Sequence, residues 1–267
     1  MTGKVITITS GKGGVGKTTA TANISAGLAA LNHKVVCIDA DIGLRNLDVI
    51  LGLENRIVYD LVDVVEGRCK LRQAMIRDKR LPELYLIPAA QTRDKSALSP
   101  SDMIKVANEL KKEMDYIVID SPAGIERGFR NAIAPADEVV IITNPEVSAV
   151  RDADRIIGLV EAEEKGPAKL IINRINVDMV ESGDMLDSED VLELLAIKLI
   201  GLVPEDQNVI VSSNRGVPIV MENNSKAGKA FQNIAKRIAG ENVPFMEFSS
   251  DSGFLGKISK MIRPGGN

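Results

Sequence analysis

The sequence predicts a doubly wound α/β domain: a mainly parallel sheet with helices on both faces. Three observations predict it. Short runs rich in valine, isoleucine and leucine recur between helical patterns. The runs are nearly continuous in apolar residues rather than alternating, as expected of strands covered on both faces. The first run leads directly into a glycine-rich turn and then an alanine-rich helix. In order, the runs are VITIT at 5–9, KVVCID at 34–39, LYLIPA at 84–89, YIVID at 116–120, EVVIIT at 138–143, AKLIIN at 168–173 and KLIGLVP at 198–204. Helical patterns include 17–31, 148–165 and 225–239. Ligands of such sheets gather at the carboxyl ends of the strands. That rule singles out Asp39, Asp41, Asp120, Ser121, Asn144, Asn173 and Pro204.

With 267 residues, 45% apolar and 26% charged, the chain can bury the core of one α/β domain, or at most two. Its formal charge of −4 argues against a broadly basic surface, so no nucleic acid is expected as a partner. Cys37 lies inside a strand pattern and Cys69 in a polar stretch. Neither has metal-ligand or C-x-x-C spacing, and both read as structural thiols of a reducing compartment. His33, in the polar LNHK turn, reads as a surface residue. The first residues enter a strand at once, so no signal or transit peptide is expected, and no apolar run approaches bilayer-spanning length. The expected organisation is an α/β domain over 1–240, a linker over 241–253 and a separate tail over 254–267. The linker, ENVPFMEFSSDSG, is polar and contains breakers.

The glycine-rich turn carries the first chemistry. Gly11-x-x-x-x-Gly16-Lys17-Thr18, between a strand and a helix, matches a phosphate-cradling loop. Backbone N–H groups along Gly11, Lys12, Gly13, Gly14, Val15, Gly16, Lys17, Thr18 and Thr19 can turn towards an anion at a helix N-terminus. Lys17 then meets the outer phosphates as a point charge, and the Thr18 hydroxyl is placed to hold Mg²⁺. Asp120, followed by SPAGIE, ends an apolar strand where phosphate-loop enzymes keep a Mg²⁺ carboxylate. Alone it also reads as a turn former or N-cap; the upstream loop favours the metal. Asp39 and Asp41, in DADIGLRNLD, stand one residue apart at the same sheet edge and are suitably placed for a hydrolytic water. Lys12 is an extra cation that the loop pattern does not demand.

Together KGGVGKTT, DADIGLRNLD, DSPAGIE, TNPEVSAVRDADR and PEDQ resemble the MinD family of deviant Walker A ATPases, which position division sites in bacteria and plastids. The likeness runs from the first strand to the last helix. It implies ATP as substrate, Mg²⁺ as cofactor, and a homodimer in the ATP-bound state. By the resemblance Lys12 matches the signature lysine that reaches the partner subunit's phosphates. Asp41 matches the residue that orients the attacking water, with Asp39 in the magnesium shell and Asp120 the second magnesium residue. Asp152 matches the carboxylate that orients the signature lysine, and Glu146 a residue that touches nucleotide from the opposite subunit. Asn173 and the turn Pro204-Glu205-Asp206 match base-contacting positions. Asn173 is followed by Arg174-Ile175-Asn176, which departs from the guanine-type N-K-x-D pattern. The implied function is a slow ATPase switch that recruits a division inhibitor resembling MinC to the membrane and is released by an activator resembling MinE. The alternative is a DNA-partition ATPase of the ParA type, which the net charge and the tail disfavour.

That tail, FLGKISKMIRPGGN, is amphipathic when wound at about 100° per residue. Phe254, Leu255, Ile258, Met261 and Ile262 then share an arc of about 120°, with Lys257, Lys260 and Arg263 opposite. Such a helix can lie in an anionic membrane interface or pack on its own domain, since both show this pattern. The MinD resemblance implies the first: a cytoplasmic protein peripheral on the inner face of the cell membrane when ATP-bound, or its plastid equivalent.

Overall fold

Strands apolar on both sides need two covering layers, and the chain supplies them. The computed structural model describes residues 2–94, 97–222 and 224–247. In chain order the elements are β1 (Lys4–Thr9), α1 (Lys17–Ala30), β2 (Val35–Asp39), α2 (Leu47–Ile50), α3 (Leu61–Val65), α4 (Leu71–Ala74), β3 (Ile76–Arg77), β4 (Leu84–Ile87), α5 (Pro100–Leu110), β5 (Tyr116–Asp120), α6 (Arg127–Ile133), β6 (Glu138–Thr143), α7 (Val147–Ala162), β7 (Lys169–Ile175), α8 (Val177–Glu181), α9 (Ser188–Leu195), β8 (Lys198–Pro204), α10 (Asn208–Asn214) and α11 (Lys226–Ile238). They form an eight-stranded sheet in the order β3-β4-β2-β5-β1-β6-β7-β8. All ladders are parallel except β3 with β4. Each of the seven apolar runs of the sequence is a strand, so the doubly wound fold is as expected. The two-residue β3 was not foreseen, because so short a segment shows no periodicity.

Successive residues of one strand enter different cores. Val35 and Cys37 of β2, Val118 of β5 and Val140 of β6 pack with α1 and α11 on one face. Val36, Ile38, Ile117 and Ile119 pack on the other face with α5, and Val139 and Ile141 with α7. This is why the strand sequences do not alternate. It also makes α1 a helix buried over nearly its whole length, from Ala20 to Ala29. Helix starts are signalled locally: Ser99 caps α5 with Pro100 in its first turn, and Asp187 and Asp190 close a capping box on α9.

The segment after α11 differs from the expected linker. Phe245 and Met246 pack on the core, and Arg237 stands 4.1 Å above the Phe245 ring. The same guanidinium donates to the carbonyls of Val243 and Pro244 at 2.9 and 2.7 Å. Residues 241–246 therefore belong to the body: the cation-π contact and two hydrogen bonds outweigh a polar, proline-containing sequence that reads as a spacer. The remaining linker residues from 248 and the tail, with Phe254, Leu255, Lys257, Ile258, Lys260, Met261, Ile262 and Arg263, lie outside the described residues. Among the described residues no helix is long and apolar enough to cross a membrane.

One buried side chain ties α1 to the short turn at Ile219–Met221 that precedes α11. Asn23, 1% exposed, donates from Nδ2 to the Thr19 carbonyl and accepts from the Val220 N–H at Oδ1, both at 2.8 Å. Asn23→Ala strands a buried N–H and is expected to cost about 1–3 kcal/mol. A urea denaturation midpoint unchanged from wild type would contradict this.

Candidate nucleotide site

Parallel strands bring β1, β2, β5, β6, β7 and β8 to the same edge, so the loops after them share one end of the molecule. β1 is central, and the loop leading from it to α1 is cradle-shaped. Gly16, with φ of 104°, is in the left-handed region that favours glycine. A Cβ there would stand 2.4 Å from Asn173 Nδ2, and one at Gly11 2.3 Å from the Asp152 carbonyl oxygen. Among the described residues, none of the N–H groups from Gly13 to Thr19 donates to a backbone carbonyl. Seven N–H donors without backbone acceptors at a helix start suit an anion. Val15 contributes its backbone only, because its side chain is buried in the core.

Lys17 is 8% exposed. Burial lowers its pKa, while the charges of Asp120 and Asp41 hold the ammonium in place. Asp39 and Asp120 are direct partners in the β2–β5 ladder and are both 1% exposed. Burial, and then repulsion from Asp120, lifts the Asp39 carboxyl well above its usual range. Burial likewise pushes Asp120 up to about 7, against the opposing pull of the Thr18 hydroxyl, Lys17 and Thr21. Thr21 Oγ1 lies 3.1 Å from Asp120 Oδ1 and 3.0 Å from the Lys17 carbonyl. The Asp39 carboxylate accepts the Asp41 N–H at 3.0 Å, which turns the loop and sets the position of Asp41.

These residues fit Mg²⁺. Two buried carboxylates on one rung repel each other and favour the acid form, and a divalent cation relieves both penalties. The donor set is hard oxygen: two carboxylates beside the Thr18 hydroxyl. Among the described residues no cluster of three His, Cys, Asp or Glu could hold a metal alone. That agrees with an ion that keeps water and binds chiefly through phosphates and one or two carboxylates.

On the β7–β8 side a cavity of about 690 Å³ opens beside the loop. Gly16, Thr19, Asn173, Pro204, Glu205 and Asp206 all line it. Asn173 donates from Nδ2 to the Val15 carbonyl at 2.8 Å and so ties cavity to loop. Asp206 is engaged by its own chain: Oδ2 accepts from the Ser225 hydroxyl at 2.7 Å and Oδ1 from the Asn208 N–H at 2.9 Å. Glu205 accepts from Asn176 Nδ2 at 3.2 Å. The sequence reading missed Arg174, Val209, Ile210 and Lys226 as lining residues. Nothing in their types marks them, although Arg174, with φ of 56°, is a non-glycine residue in the left-handed region. Thr21 was also missed, yet it sits three residues after Thr18 on the same helix face, a spacing that pointed to it.

Lys12 stands apart from the buried group. Its Nζ bonds Glu146 Oε2 at 3.1 Å and Ser148 Oγ at 3.2 Å, with the side chain 42% exposed. Hydrogen bonding from Lys12 holds the Glu146 carboxyl below its usual range. The carboxylate on Lys12 is thus Glu146 rather than Asp152, whose backbone instead abuts Gly11. The start of α7 aims Glu146 and Ser148 at the loop, while Asp152 lies more than a turn further along.

A family model described as an AAA domain matches residues 3–172. The septum site-determining protein MinD of Synechocystis sp. is 54% identical over 264 residues, covering 98% of this chain and 99% of that one. The chain belongs to the MinD family. Among solved structures, the MinC:MinD cell division protein complex of Aquifex aeolicus matches at 50% identity and a TM-score of 0.86, covering 92% of this chain and 100% of that one. MinD of Pyrococcus horikoshii OT3, complexed with Mg-ADP, matches at 30% identity and a TM-score of 0.80, covering 88% and 95%. As a MinD-family P-loop ATPase, the chain carries the lysine-bearing loop and the paired aspartates at the centre of its sheet.

The paired carboxylates set a pH dependence. Without a cation they bind protons in the folded state at pH values where the unfolded chain has lost them. Stability of the ligand-free protein should therefore fall as pH rises from about 4, the ordinary carboxylate range, to about 7. Asp39→Asn keeps an acceptor for the Asp41 N–H but removes the repulsion. It is expected to raise the ligand-free melting temperature near pH 7 by about 2–4 °C, flatten its pH slope, and reduce the extra stability conferred by Mg²⁺ with nucleotide. A lower ligand-free melting temperature than wild type would refute this account of the pair.

Proposed function

We propose that this chain is an ATP-driven, membrane-reversible dimeric switch in division-site placement. The observation that carries the reading is the buried group of Lys17, Asp39 and Asp120 beneath a cradle of unpaired N–H donors. That group suits a magnesium-bound polyphosphate. The N–H groups from Gly13 to Thr19 and the Lys17 ammonium would hold the phosphates. Thr18, Asp39 and Asp120 would hold Mg²⁺, which neutralises phosphate charge when bound. Asp41 would orient the water that attacks the terminal phosphorus. With positioning and electrostatics as the main levers on phosphoryl transfer, its placement controls the rate. The cavity of Asn173, Pro204 and Glu205 would take the adenine, with the Asp206 carboxylate bracing its wall through Ser225 and Asn208.

The exposed position of Lys12 supports a role in trans. A solvent-exposed ion pair is worth little and is exchanged cheaply. In an ATP-bound homodimer Lys12 would leave Glu146 for the partner subunit's phosphates, where a cation stabilises charge developing in the transition state. Glu146, so released, and Asp152 beside Gly11 are then available to nucleotide and lysine as the family resemblance implies. Lys12→Ala is expected to bind ATP with near wild-type affinity yet lose dimerisation and turnover, as read by light scattering and phosphate release. Dimeric hydrolysis at the normal rate in that variant would sink the trans role. Asp41→Ala should accumulate as an ATP-bound dimer with phosphate release reduced by about 10² or more, since orientation of the attacking group supplies rate factors of that order.

Membrane binding would follow from dimerisation. Three basic residues of the tail contribute about 3 kcal/mol near an anionic surface, and five partly buried apolar side chains about 5 kcal/mol. Ordering the tail backbone costs roughly 1–2 kcal/mol per residue before helix hydrogen bonds are counted. One tail is marginal; two joined tails gain about 10²–10⁴ in avidity. The Aquifex aeolicus complex supports a MinC-like inhibitor as the partner carried to the membrane, and a MinE-like activator would complete the cycle. Sedimentation with anionic liposomes tests the reading: binding is expected with ATP, to be weak with ADP, and to vanish on deleting 254–267 while ATP binding in solution survives. Sedimentation of ATP-bound protein with duplex DNA instead of liposomes would favour the partition ATPase.

A further inference from the structure

Arg80 lies outside every motif, yet it grips the chain at two distant carbonyls. Its Nη2 donates to the Leu51 carbonyl at 2.6 Å and its Nη1 to the Gly216 carbonyl at 2.7 Å. Asp78, 2% exposed, fixes the guanidinium from behind: Oδ2 accepts from Nη2 at 2.8 Å, and Oδ1 accepts the backbone N–H groups of Arg80 and Leu81 at 2.6 and 3.1 Å. The two gripped segments also touch directly. Gly52 and Gly216 are back to back, so that a Cβ on Gly216 would stand 2.6 Å from Gly52 Cα.

The two segments belong to different halves of the nucleotide site. Leu51 caps the C-terminus of α2, whose first residue, Leu47, donates its N–H to Asp39 Oδ2 at 3.4 Å. Gly216 follows α10, whose Val209 and Ile210 line the cavity proposed for the base. We propose that Arg80 is a positioning residue that couples the metal half of the site to the base half, by clamping the end of α2 to the end of α10. This rests on the nucleotide reading above. A planar guanidinium held by a buried carboxylate can bond two carbonyls in fixed directions, which a lysine ammonium cannot reproduce. Movement of Asp39 as it engages a cation would pull on α2, and the clamp would carry that displacement to the cavity wall.

The test compares ATP with inorganic tripolyphosphate, which has the phosphates but no base, binding wild type and Arg80→Lys with and without Mg²⁺. In wild type, Mg²⁺ should strengthen ATP binding more than tripolyphosphate binding. In Arg80→Lys that excess should shrink by about 5-fold or more, the lower end of typical site-to-site coupling, with tripolyphosphate affinity unchanged. An unaltered excess overturns the proposal, and so does a proportional loss of both ligands, which would make the clamp purely structural. Should Arg80→Lys fail to fold, hydrogen exchange on wild type decides. Mg²⁺-tripolyphosphate should slow exchange at the Arg215, Gly216 and Val217 amides, whose acceptors lie in α10, and unchanged exchange there overturns coupling. If wild type binds tripolyphosphate but not ATP, the base-cavity reading fails, and this proposal with it.

Discussion

The carboxylates of Asp39 and Asp120 face each other across one rung of the sheet, buried from water beside the Lys17 ammonium. Neither aspartate is comfortable there: desolvation and mutual repulsion favour the acid form, and Lys17 can compensate only in part. The sheet makes the arrangement unavoidable, because parallel pairing of β2 with β5 sets Asp39 opposite Asp120, and β5 borders β1, whose loop carries Lys17. Stability is spent locally, and a divalent cation with its phosphates would find its counter-charges already in place. Preorganisation of this kind costs the empty protein and favours the loaded one.

Two lysines five residues apart show how burial divides labour. Lys17, at 8% exposure, has lost most of its hydration and is committed to charges inside the site. Lys12, with 42% of its side chain exposed, rests on Glu146 and Ser148 at the rim. A buried ion pair is costly to break, whereas a rim pair exchanges for little free energy. The loop thus holds one fixed cation and one that can change partners without disturbing the fold.

The seven principal strands were legible because burial on both faces leaves unbroken apolar runs, and the lysine loop because its spacing and its strand-to-helix setting coincide. Asp39 and Asp120 could be placed at one sheet edge from sequence, although their pairing on one rung required the register. Less legible were features set by tertiary contact. Asp206 is occupied by Ser225, nineteen residues away, and no local pattern announces that. Choosing Glu146 over Asp152 as the neighbour of Lys12 depends on where α7 begins relative to the loop. Residues 241–246 read as a spacer because a stacked Phe245 and two carbonyl acceptors leave no periodic mark. The grip of Arg80 leaves no sequence mark for the same reason, since backbone carbonyls have no side-chain signature.

The position of the C-terminal segment bears on how nucleotide state could reach the membrane. α11 packs on α1, the helix that starts at the lysine loop, and Asn23 bonds α1 to Val220. Met246 is packed against the same core. Met246, in the last described segment, and the phosphate cradle therefore share one hydrophobic core, which is close-packed and yields little to a local change. A signal that had to bend this core would be costly. Pairing of two subunits, as proposed, would require no such bending: joining the bodies would by itself raise the effective concentration of the second C-terminal segment. Coupling through avidity would thus suit this architecture better than coupling through deformation, and it would leave conformational adjustment to the loops at the sheet edge, where Asp41 and Lys12 lie.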